Sequence, residues 1–243
     1  MTAPDTLLVV VTAVASETRA VLAALRQVRR LTVPKRRAWQ AEIAGRTVQV
    51  VQAGVGWERA GAALQAMPGP HGVVLSVGFA GALVPGPMAG DVVLPTTIVW
   101  ENAAGCERYP VPTDAWESAR TQLPVDDARR ALHGPLLSSA TIVASTVDKR
   151  DAASRTGAVA VEMEAAGLIA AARGADVVAL RVILDGAEVS LEGLPPDLDS
   201  SWRARAQLLG RPAAWATVVA LARQIPTVSR VLTRVVGAVL PRL

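Results

Sequence analysis

Cysteine, histidine and aromatic residues are scarce in this chain of 243 residues. Cys106 is the single cysteine, which excludes an internal disulfide and a cysteine-based zinc site and fits a reducing compartment. His71 and His133 are the only histidines, and each lies beside a glycine, where turn positions are common. The sequence therefore predicts no metal site.

The sequence also predicts no targeting or membrane-spanning segment. The apolar run near the N-terminus has no basic segment before it and is too short to cross a bilayer, so we expect a cytoplasmic protein. Hydrophobic residues make up 51% of the chain, which is enough for the core of one α/β domain of ordinary size. No low-complexity linker or internal repeat interrupts residues 1–200, which we predict to be the main domain.

Acidic residues are absent after Asp199, and this final stretch alone makes the chain basic, with a formal net charge of +4. Its basic residues are Arg203, Arg205, Arg211, Arg223, Arg230, Arg234 and Arg242. Pro212, Pro226 and Pro241 are expected to divide residues 201–243 into amphipathic helices. Such an extension either lies on an anionic membrane or packs over the main domain with its arginines solvated, and the sequence leaves both open.

Two acids, Glu162 and Glu164, stand at a predicted junction between a strand and a helix. The apolar residues up to Val161 predict the strand, and the alanines that follow predict a helix from about Met163 to Arg173. Backbone N–H groups and the helix dipole keep a carboxylate at such a junction ionised and able to accept hydrogen bonds from hydroxyls. Acids in a first helical turn also stabilise helices without any ligand, so further segments must agree.

Two more acids follow predicted strands. The run from Thr6 to Thr12 predicts a strand buried on both faces, and a helix is predicted from Ser16 to about Arg29. Glu17 then lies in the first turn of this helix, just past the carboxyl end of the strand, where open α/β sheets bind ligands. A second strand from Val177 to Leu184 ends at Asp185, where partial desolvation suits a general acid. Each acid also has a simpler explanation, because Glu17 can merely stabilise a helix and Asp185 can merely begin an Asp-Gly turn.

The intervening segments predict further elements of an α/β domain. Ala38 to Ile43 and Thr47 to Ala53 predict a hairpin, followed by a helix from about Trp57 to Met67. The glycines before that helix lack the GxGxxG spacing, which argues against a dinucleotide site. Gly72 to Val77 predicts a strand, and the small residues from Gly78 to Leu83 predict a loop that approaches a ligand or turns tightly without one. Short strands are also expected at Asp91 to Leu94, Thr96 to Trp100 and Leu136 to Val143, and a short helix at Lys149 to Arg155.

Taken in order, these segments resemble the superfamily of purine nucleoside phosphorylases and methylthioadenosine/S-adenosylhomocysteine nucleosidases. The motifs that carry the resemblance are Glu17 after the first strand, Gly78-Phe79-Ala80-Gly81, Val161-Glu162-Met163-Glu164-Ala165-Ala166, and Arg181 followed by Asp185. The resemblance covers about residues 6–187. It implies a three-layer α/β/α sandwich with a mixed central sheet, in which residues 1–200 form the catalytic domain and residues 201–243 a C-terminal helical extension.

The resemblance also implies an activity, the cleavage of a nucleoside N-glycosidic bond through a ribosyl species with oxocarbenium character. Glu164 would bind the ribose 2′- and 3′-hydroxyls, helped by Arg181 and the backbone of Met163. Asp185 would deliver a proton to the purine N7, and Glu17 would position or deprotonate the attacking water. No cofactor is implied, although inorganic phosphate is a possible co-substrate.

Further residues receive roles from the same resemblance. Gly78, Phe79, Ala80 and Gly81 would line the ribose and the base. Glu162 would support the residues that touch the substrate.

The sequence departs from the superfamily pattern at three places. Ser76 and Phe79 stand where phosphorolytic relatives often carry an arginine and a serine, so one phosphate-binding group is missing, and Arg19 is at most a partial replacement. With Glu17 present, this favours water over phosphate as the acceptor. Leu184 stands where relatives carry a serine or cysteine beside the aspartate, and the phenylalanine expected to stack on the base near Val147 to Lys149 is missing.

The basic, apolar ending and the Leu194-Pro195-Pro196 segment resemble the hopanoid-associated branch of the superfamily, which releases adenine from adenosylhopane. This resemblance predicts a lipid-linked nucleoside as substrate and peripheral contact with the inner face of the cytoplasmic membrane. We also expect no nucleic-acid partner, and the superfamily resemblance predicts a homodimer. Two alternatives stay open. One is a soluble methylthioadenosine or S-adenosylhomocysteine nucleosidase, and the other is a non-catalytic basic protein that binds nucleotides or membranes.

Overall fold

The computed structural model describes residues 7–102, 105–193 and 212–243. Its strands are β1 (Leu7–Thr12), β2 (Arg26–Leu31), β3 (Arg37–Ile43), β4 (Arg46–Gln52), β5 (His71–Ala82), β6 (Val92–Val93), β7 (Thr97–Asn102), β8 (Gly105–Pro110), β9 (Leu136–Ser138), β10 (Ala160–Glu162) and β11 (Asp176–Asp185). Its helices are α1 (Ala15–Ala23), α2 (Trp57–Gln65), α3 (Thr113–Thr121), α4 (Val125–Ala128), α5 (Thr146–Thr156), α6 (Ala165–Ala171) and α7 (Pro212–Val239), followed by a 3-10 turn at Leu240–Arg242.

The strands form one mixed sheet in the order β2-β3-β4-β1-β5-β10-β9-β7-β8, and β11 joins it by pairing with β5 and β6. β5 pairs in parallel with β1 and with β11. β10 runs antiparallel to β5 but parallel to β9. The direction of the strands therefore changes beside β5, so loops from both halves of the sheet meet there.

One edge of β5 is unpaired over a few residues. Pairing with β1 ends at Ser76, and pairing with β10 begins at Gly81. Residues 77–80 between them pair with β11 on the other edge, so their unpaired edge can bond to side chains. The predicted loop at Gly78 to Leu83 is therefore wrong, because pairing with β11 continues the strand through most of this segment.

Helices cover both faces of the sheet. Leu8 and Val10 of β1 point to a core shared with α1 and α7, whereas Val9 and Val11 point to a core shared with α2 and α6. A strand buried on both faces has no reason to alternate polar and apolar residues, which explains the continuous apolar run of β1. The predicted three-layer sandwich with a mixed sheet is confirmed.

Helix α7 packs over the sheet in its second half. Its side chains from Val228 to Val239 include a buried row that joins the core beside α1, and Arg234 bonds Asp127 at 2.6 and 2.9 Å. Pro226 lies inside the helix and does not divide it, so that part of the prediction is wrong. Tertiary packing of the apolar face of α7 offsets the loss of the backbone hydrogen bond that an internal proline removes. Among the described helices, none has the length and apolar character needed to cross a bilayer.

The first part of the predicted extension, including Trp202 and Arg203, lies outside the described residues, as does the Leu194-Pro195-Pro196 segment. The proposed domain boundary at residue 200 falls in the same stretch and stays a prediction.

Helix α1 ends at Ala23, and not at Arg29 as predicted. The following residues form β2, whose side chains are almost all exposed and which pairs antiparallel with β3. An exposed edge strand has no buried face to mark it in the sequence, and backbone hydrogen bonds to β3 decide its conformation. Similarly, β9 ends at Ser138 instead of Val143, and β8, α3 and α4 have no counterpart in the prediction.

Candidate active site

A cavity of about 250 Å³ lies beside the unpaired edge of β5, between the carboxyl end of β1 and the ends of β10 and β11. The predicted site residues that line it are Glu17, Phe79, Ala80, Gly81, Glu162, Met163, Glu164 and Asp185. The other two, Gly78 and Arg181, do not line the cavity and instead lie behind its acids. The structure therefore brings together three acids that are far apart in the sequence, Glu17, Glu164 and Asp185.

Glu17 is held by backbone N–H groups from two elements. Its Oε2 accepts hydrogen bonds from the N–H groups of Ala13 and Val14, at 2.8 and 3.0 Å, where β1 leads into α1. Its Oε1 accepts one from the N–H of Phe79, at 2.8 Å, on the unpaired edge of β5. Both oxygens are thus fixed, and the carboxylate faces the cavity in one orientation.

Gly78 makes this arrangement possible because no side chain fits at its position. A Cβ there would lie 2.6 Å from Glu17 Oε1 and 2.9 Å from a terminal nitrogen of Arg181. Both groups are buried, so neither has room to retreat. The role of Gly78 is to let the acid and the guanidinium approach the strand.

Glu164 stands at the start of α6, where α6 packs closely on α2. The contact is so close that a Cβ on Gly167 would lie 1.9 Å from the carbonyl oxygen of Trp57. This approach places the N–H of Gly56 3.1 Å from Glu164 Oε1. The backbone N–H of Met163 lies 3.4 Å from Oε2, and its predicted contact with the ribose stays a prediction.

Glu162 and Arg181 form a buried ion pair that supports the other acids. The Glu162 carboxylate accepts the N–H groups of Glu164 and Ala165, at 2.9 to 3.1 Å, and so also caps α6. Arg181 donates to Glu162 and to Ser76 Oγ, the latter at 2.7 Å, and lies 3.6 Å from Glu164 Oε2. Ser76 therefore serves here as an acceptor for the arginine.

Carboxylates outnumber cations in this part of the site, which the pKa values reflect. Burial and the nearby charge of Glu162 raise the pKa of Glu164 to about 8, although Arg181 opposes the rise. Burial also raises the pKa of Glu17, against the opposing effects of Arg181 and of the three backbone hydrogen bonds. The arrangement therefore creates a negative potential that favours a ligand with hydroxyl donors or developing positive charge.

Asp185 lies at the far end of the cavity, where β11 ends against Gly81. Its Oδ2 accepts a hydrogen bond of 2.6 Å from Lys149 Nζ, on α5. Burial raises the pKa of Asp185, and the ammonium of Lys149 lowers it. Lys149 was not among the predicted site residues, and the sequence pattern placed it only in a short helix. The feature that could have indicated a special role for Lys149 is the rarity of lysine, because Lys35 and Lys149 are the only lysines in an otherwise arginine-rich chain.

Apolar side chains surround the Asp185 end of the cavity, among them Val143, Leu184 and Leu191. Aliphatic groups thus border this end of the cavity, where the resemblance predicted a stacking phenylalanine. Arg19 is exposed and bonds to the carbonyl of Ala15 in its own helix, and it does not line the cavity. Within the described ranges, no group of three His, Cys, Asp or Glu side chains could hold a metal ion.

The family model of the phosphorylase superfamily matches residues 8–210, which is most of the chain. The chain belongs to the phosphorylase superfamily. This membership confirms the family and the enzyme class expected from the resemblance. No curated protein sequence matches the chain.

Several solved structures share the fold of this protein over nearly its whole length. A 5′-methylthioadenosine/S-adenosylhomocysteine nucleosidase from Neisseria meningitidis is 18% identical, with a TM-score of 0.77 over 98% of this chain and 100% of that one. The Helicobacter pylori nucleosidase of the same name is 14% identical, with a TM-score of 0.77 over 99% and 100%. Futalosine hydrolase from Helicobacter pylori is 14% identical, with a TM-score of 0.76 over 98% and 99%.

Proposed function

We propose that this member of the phosphorylase superfamily hydrolyses the N-glycosidic bond of an adenine nucleoside. One observation carries the proposal: a single cavity is lined by three carboxylates at one end, with the guanidinium of Arg181 behind them, and by a separate carboxylate, Asp185, at the other. The first end suits a ribose, and the second suits a departing base. The similar nucleosidase and futalosine hydrolase structures support this proposal at the level of the fold.

The proposed reaction breaks the bond between ribose C1′ and purine N9. The bonding electrons move into the purine as Asp185 gives a proton to N7, so the base leaves neutral. Positive charge develops on the ribose, and the negative potential of Glu17 and Glu162 stabilises it. Glu164 accepts hydrogen bonds from the ribose hydroxyls. A water molecule then adds to C1′ and loses a proton to Glu17.

Hydrolysis is the proposed outcome because the nearby cations are already engaged. Arg181 is bonded to Glu162 and Ser76, and Lys149 is bonded to Asp185. Among the cavity-lining residues, Lys149 is the only basic one. A phosphate nucleophile would need cationic donors that are free to face it, whereas the raised pKa of Glu17 suits a base that accepts a proton from water.

The finer part of the proposal is a lipid-linked substrate, adenosylhopane. The cavity walls are mostly apolar away from the acids, and the first described part of α7 keeps Val219 and Arg223 exposed. An exposed apolar and basic helix suits peripheral contact with an anionic membrane at its cytoplasmic face. A homodimer is proposed from the superfamily resemblance alone.

A soluble methylthioadenosine or S-adenosylhomocysteine nucleosidase is the second candidate. The observation in its favour is that the second half of α7 packs into the core, as a structural helix would. Only the first half of this helix then remains for membrane contact.

Product analysis tests both parts of the proposal. Purified protein would be incubated with adenosylhopane or with methylthioadenosine, in buffers with and without phosphate, and the products would be identified by mass spectrometry. We expect adenine and a ribosyl-hopane in both buffers, and adenine release from the Asp185→Asn variant that is slower by at least about 100-fold. A phosphorylated sugar would overturn hydrolysis, and faster release from methylthioadenosine would overturn the lipid substrate. Failure to release a base from any nucleoside would overturn the enzymatic proposal.

A further inference from the structure

Lys149 is a completely buried cation in a chain that otherwise uses arginine almost throughout. It lies in the first half of α5, whose N-terminus is capped by Ser145. Burying an ammonium is costly unless hydrogen-bond acceptors replace its water. The position must therefore supply those acceptors, and their identity indicates what the lysine does.

The ammonium has three acceptors, one for each of its N–H bonds. They are Asp185 Oδ2 at 2.6 Å, the carbonyl oxygen of Gly186 at 2.9 Å and the carbonyl oxygen of Val189 at 2.8 Å. An ammonium has three donors, so none remains for a bound ligand. Lys149 therefore acts on a ligand only through the groups that it holds.

The first of those groups is the carboxylate of Asp185. Lys149 fixes Oδ2, whereas Oδ1 has no hydrogen-bond partner within the described residues, and Asp185 lines the cavity. A compact ammonium fits this three-acceptor site, but the planar fork of an arginine directs its donors differently. The geometry thus leaves one oxygen of the acid for the ligand.

The second group is the segment after β11. Lys149 bonds two of its carbonyls, and the N–H of Leu191 bonds the carbonyl of Ala144 at 2.8 Å. Leu191 and Leu184 both line the cavity. The lysine thereby joins α5 to the segment that borders the base end of the cavity.

We infer that Lys149 is the positioning residue for proton transfer by Asp185, an inference that rests on the proposed function. Asp185 donates its proton from Oδ1 to the purine N7 while the C1′–N9 bond breaks and its electrons move into the base. The carboxylate that remains is paired at Oδ2 with the ammonium of Lys149, which keeps its own proton. Before the next turnover, Glu17 releases to solvent the proton that it took from the attacking water, and Asp185 takes up a proton from solvent.

The test is a double-mutant cycle with Lys149→Met and Asp185→Asn, measured as adenine release from the best nucleoside substrate. Methionine keeps the length of the side chain and removes its charge. We expect Lys149→Met to lower kcat by about 10- to 100-fold in the wild-type background, because the acid loses its orientation. In the Asp185→Asn background the same change should have little further effect, since both residues act in one step.

The pH dependence gives a second readout that a merely structural role would not move. Loss of a cation beside Asp185 raises the pKa of its carboxyl, so the alkaline limb of kcat/KM should move to higher pH by about 1 to 3 pH units. Lys149→Arg keeps the charge and should lower kcat with a smaller movement of that limb. Arg150→Met, on the exposed side of the same helix, is the matched control and should change neither quantity.

The outcomes separate this inference from the proposed function. Equal losses from Lys149→Met in both backgrounds, with an unmoved pH profile, would overturn the inference while leaving the enzyme active. If Lys149→Met does not fold, the same two measurements on Lys149→Arg decide, and an unchanged kcat would overturn it. A wild-type protein that releases no base from any nucleoside would instead overturn the proposed function.

Discussion

The two ends of the cavity use acids in different ways. At one end, Glu17, Glu162 and Glu164 share the single guanidinium of Arg181, so negative charge is in excess. At the other end, Asp185 has a cation of its own, the ammonium of Lys149. Both ends are buried, and burial raises the pKa of Glu17, Glu164 and Asp185 alike.

The difference shows how one cavity can favour two kinds of event. Excess carboxylate favours hydroxyl donors and a ribosyl group that becomes positive, whereas a single acid with a paired cation favours a proton transfer that leaves a stabilised carboxylate. The excess of carboxylates also destabilises the folded site, because at neutral pH either one of these carboxyl groups stays protonated or the ionised carboxylates repel one another. The predictions below test this contrast.

The largest effect should come from Asp185→Asn at the base end. The amide cannot protonate N7, so we expect kcat for adenine release to fall by about 100- to 10,000-fold. Steady-state kinetics measures the effect, and thermal unfolding shows whether the variant is folded. A loss below about 10-fold would mean that Asp185 is not the acid.

A somewhat smaller loss should follow Glu164→Gln at the ribose end. The variant replaces the carboxyl acceptor of the ribose hydroxyls with an amide that also presents N–H donors to them, so we expect kcat/KM to fall by about 10- to 100-fold. The same change should cost little with a nucleoside that lacks these hydroxyls, such as a 2′,3′-dideoxy analogue. Glu58→Gln, an exposed acid on α2, is the matched control. Equal losses on both substrates would contradict the assigned contact.

Replacing a glycine of β5 with alanine should destabilise the protein more at the Glu17 end of the cavity than at the Asp185 end. Gly78→Ala places a Cβ 2.6 Å from Glu17 and should lower the free energy of unfolding by about 1 to 3 kcal/mol. Gly81→Ala meets Asp185 at 3.0 Å and should cost less. Denaturant unfolding measures both, with Gly237→Ala as a control, since a Cβ there makes an ordinary contact at 3.6 Å. A larger cost at Gly81 would contradict the contrast.

The smallest effect should be a pH dependence of stability from Glu164. Its pKa rises from 4.5 in the unfolded chain to about 8 in the fold, so the folded state holds more protons between these values. Its stabilising contribution is complete below about pH 4.5 and is lost as the pH rises through about 8. The melting temperature of Glu164→Gln relative to wild type should therefore increase from about pH 5 to about pH 9. A constant difference would mean that Glu164 is ionised throughout.

Much of the site could be predicted from local patterns. Acids that follow apolar strands fall at the carboxyl ends of those strands, and the strand order brings those ends together. This is why Glu17, Glu164 and Asp185 were candidates from the sequence, and the resemblance to the superfamily then favoured functional roles for them over the simpler explanations. The exposed strand β2 was not predicted, because no local pattern records its hydrogen bonds to β3. The unbroken helix α7 around Pro226 was not predicted either, because no local pattern records its packing on α1.

The sequence by itself determined the α/β class, the superfamily and the acids that face the cavity, since apolar periodicity and short motifs are properties of adjacent residues. Only the tertiary structure decided which cation each acid receives. Lys149 and Asp185 are separated by 36 positions and belong to different elements, and their contact depends on how α5 packs beside the end of β11. The interaction of two charged groups depends on the distance between them in the folded protein, and the order of residues in the sequence does not give that distance.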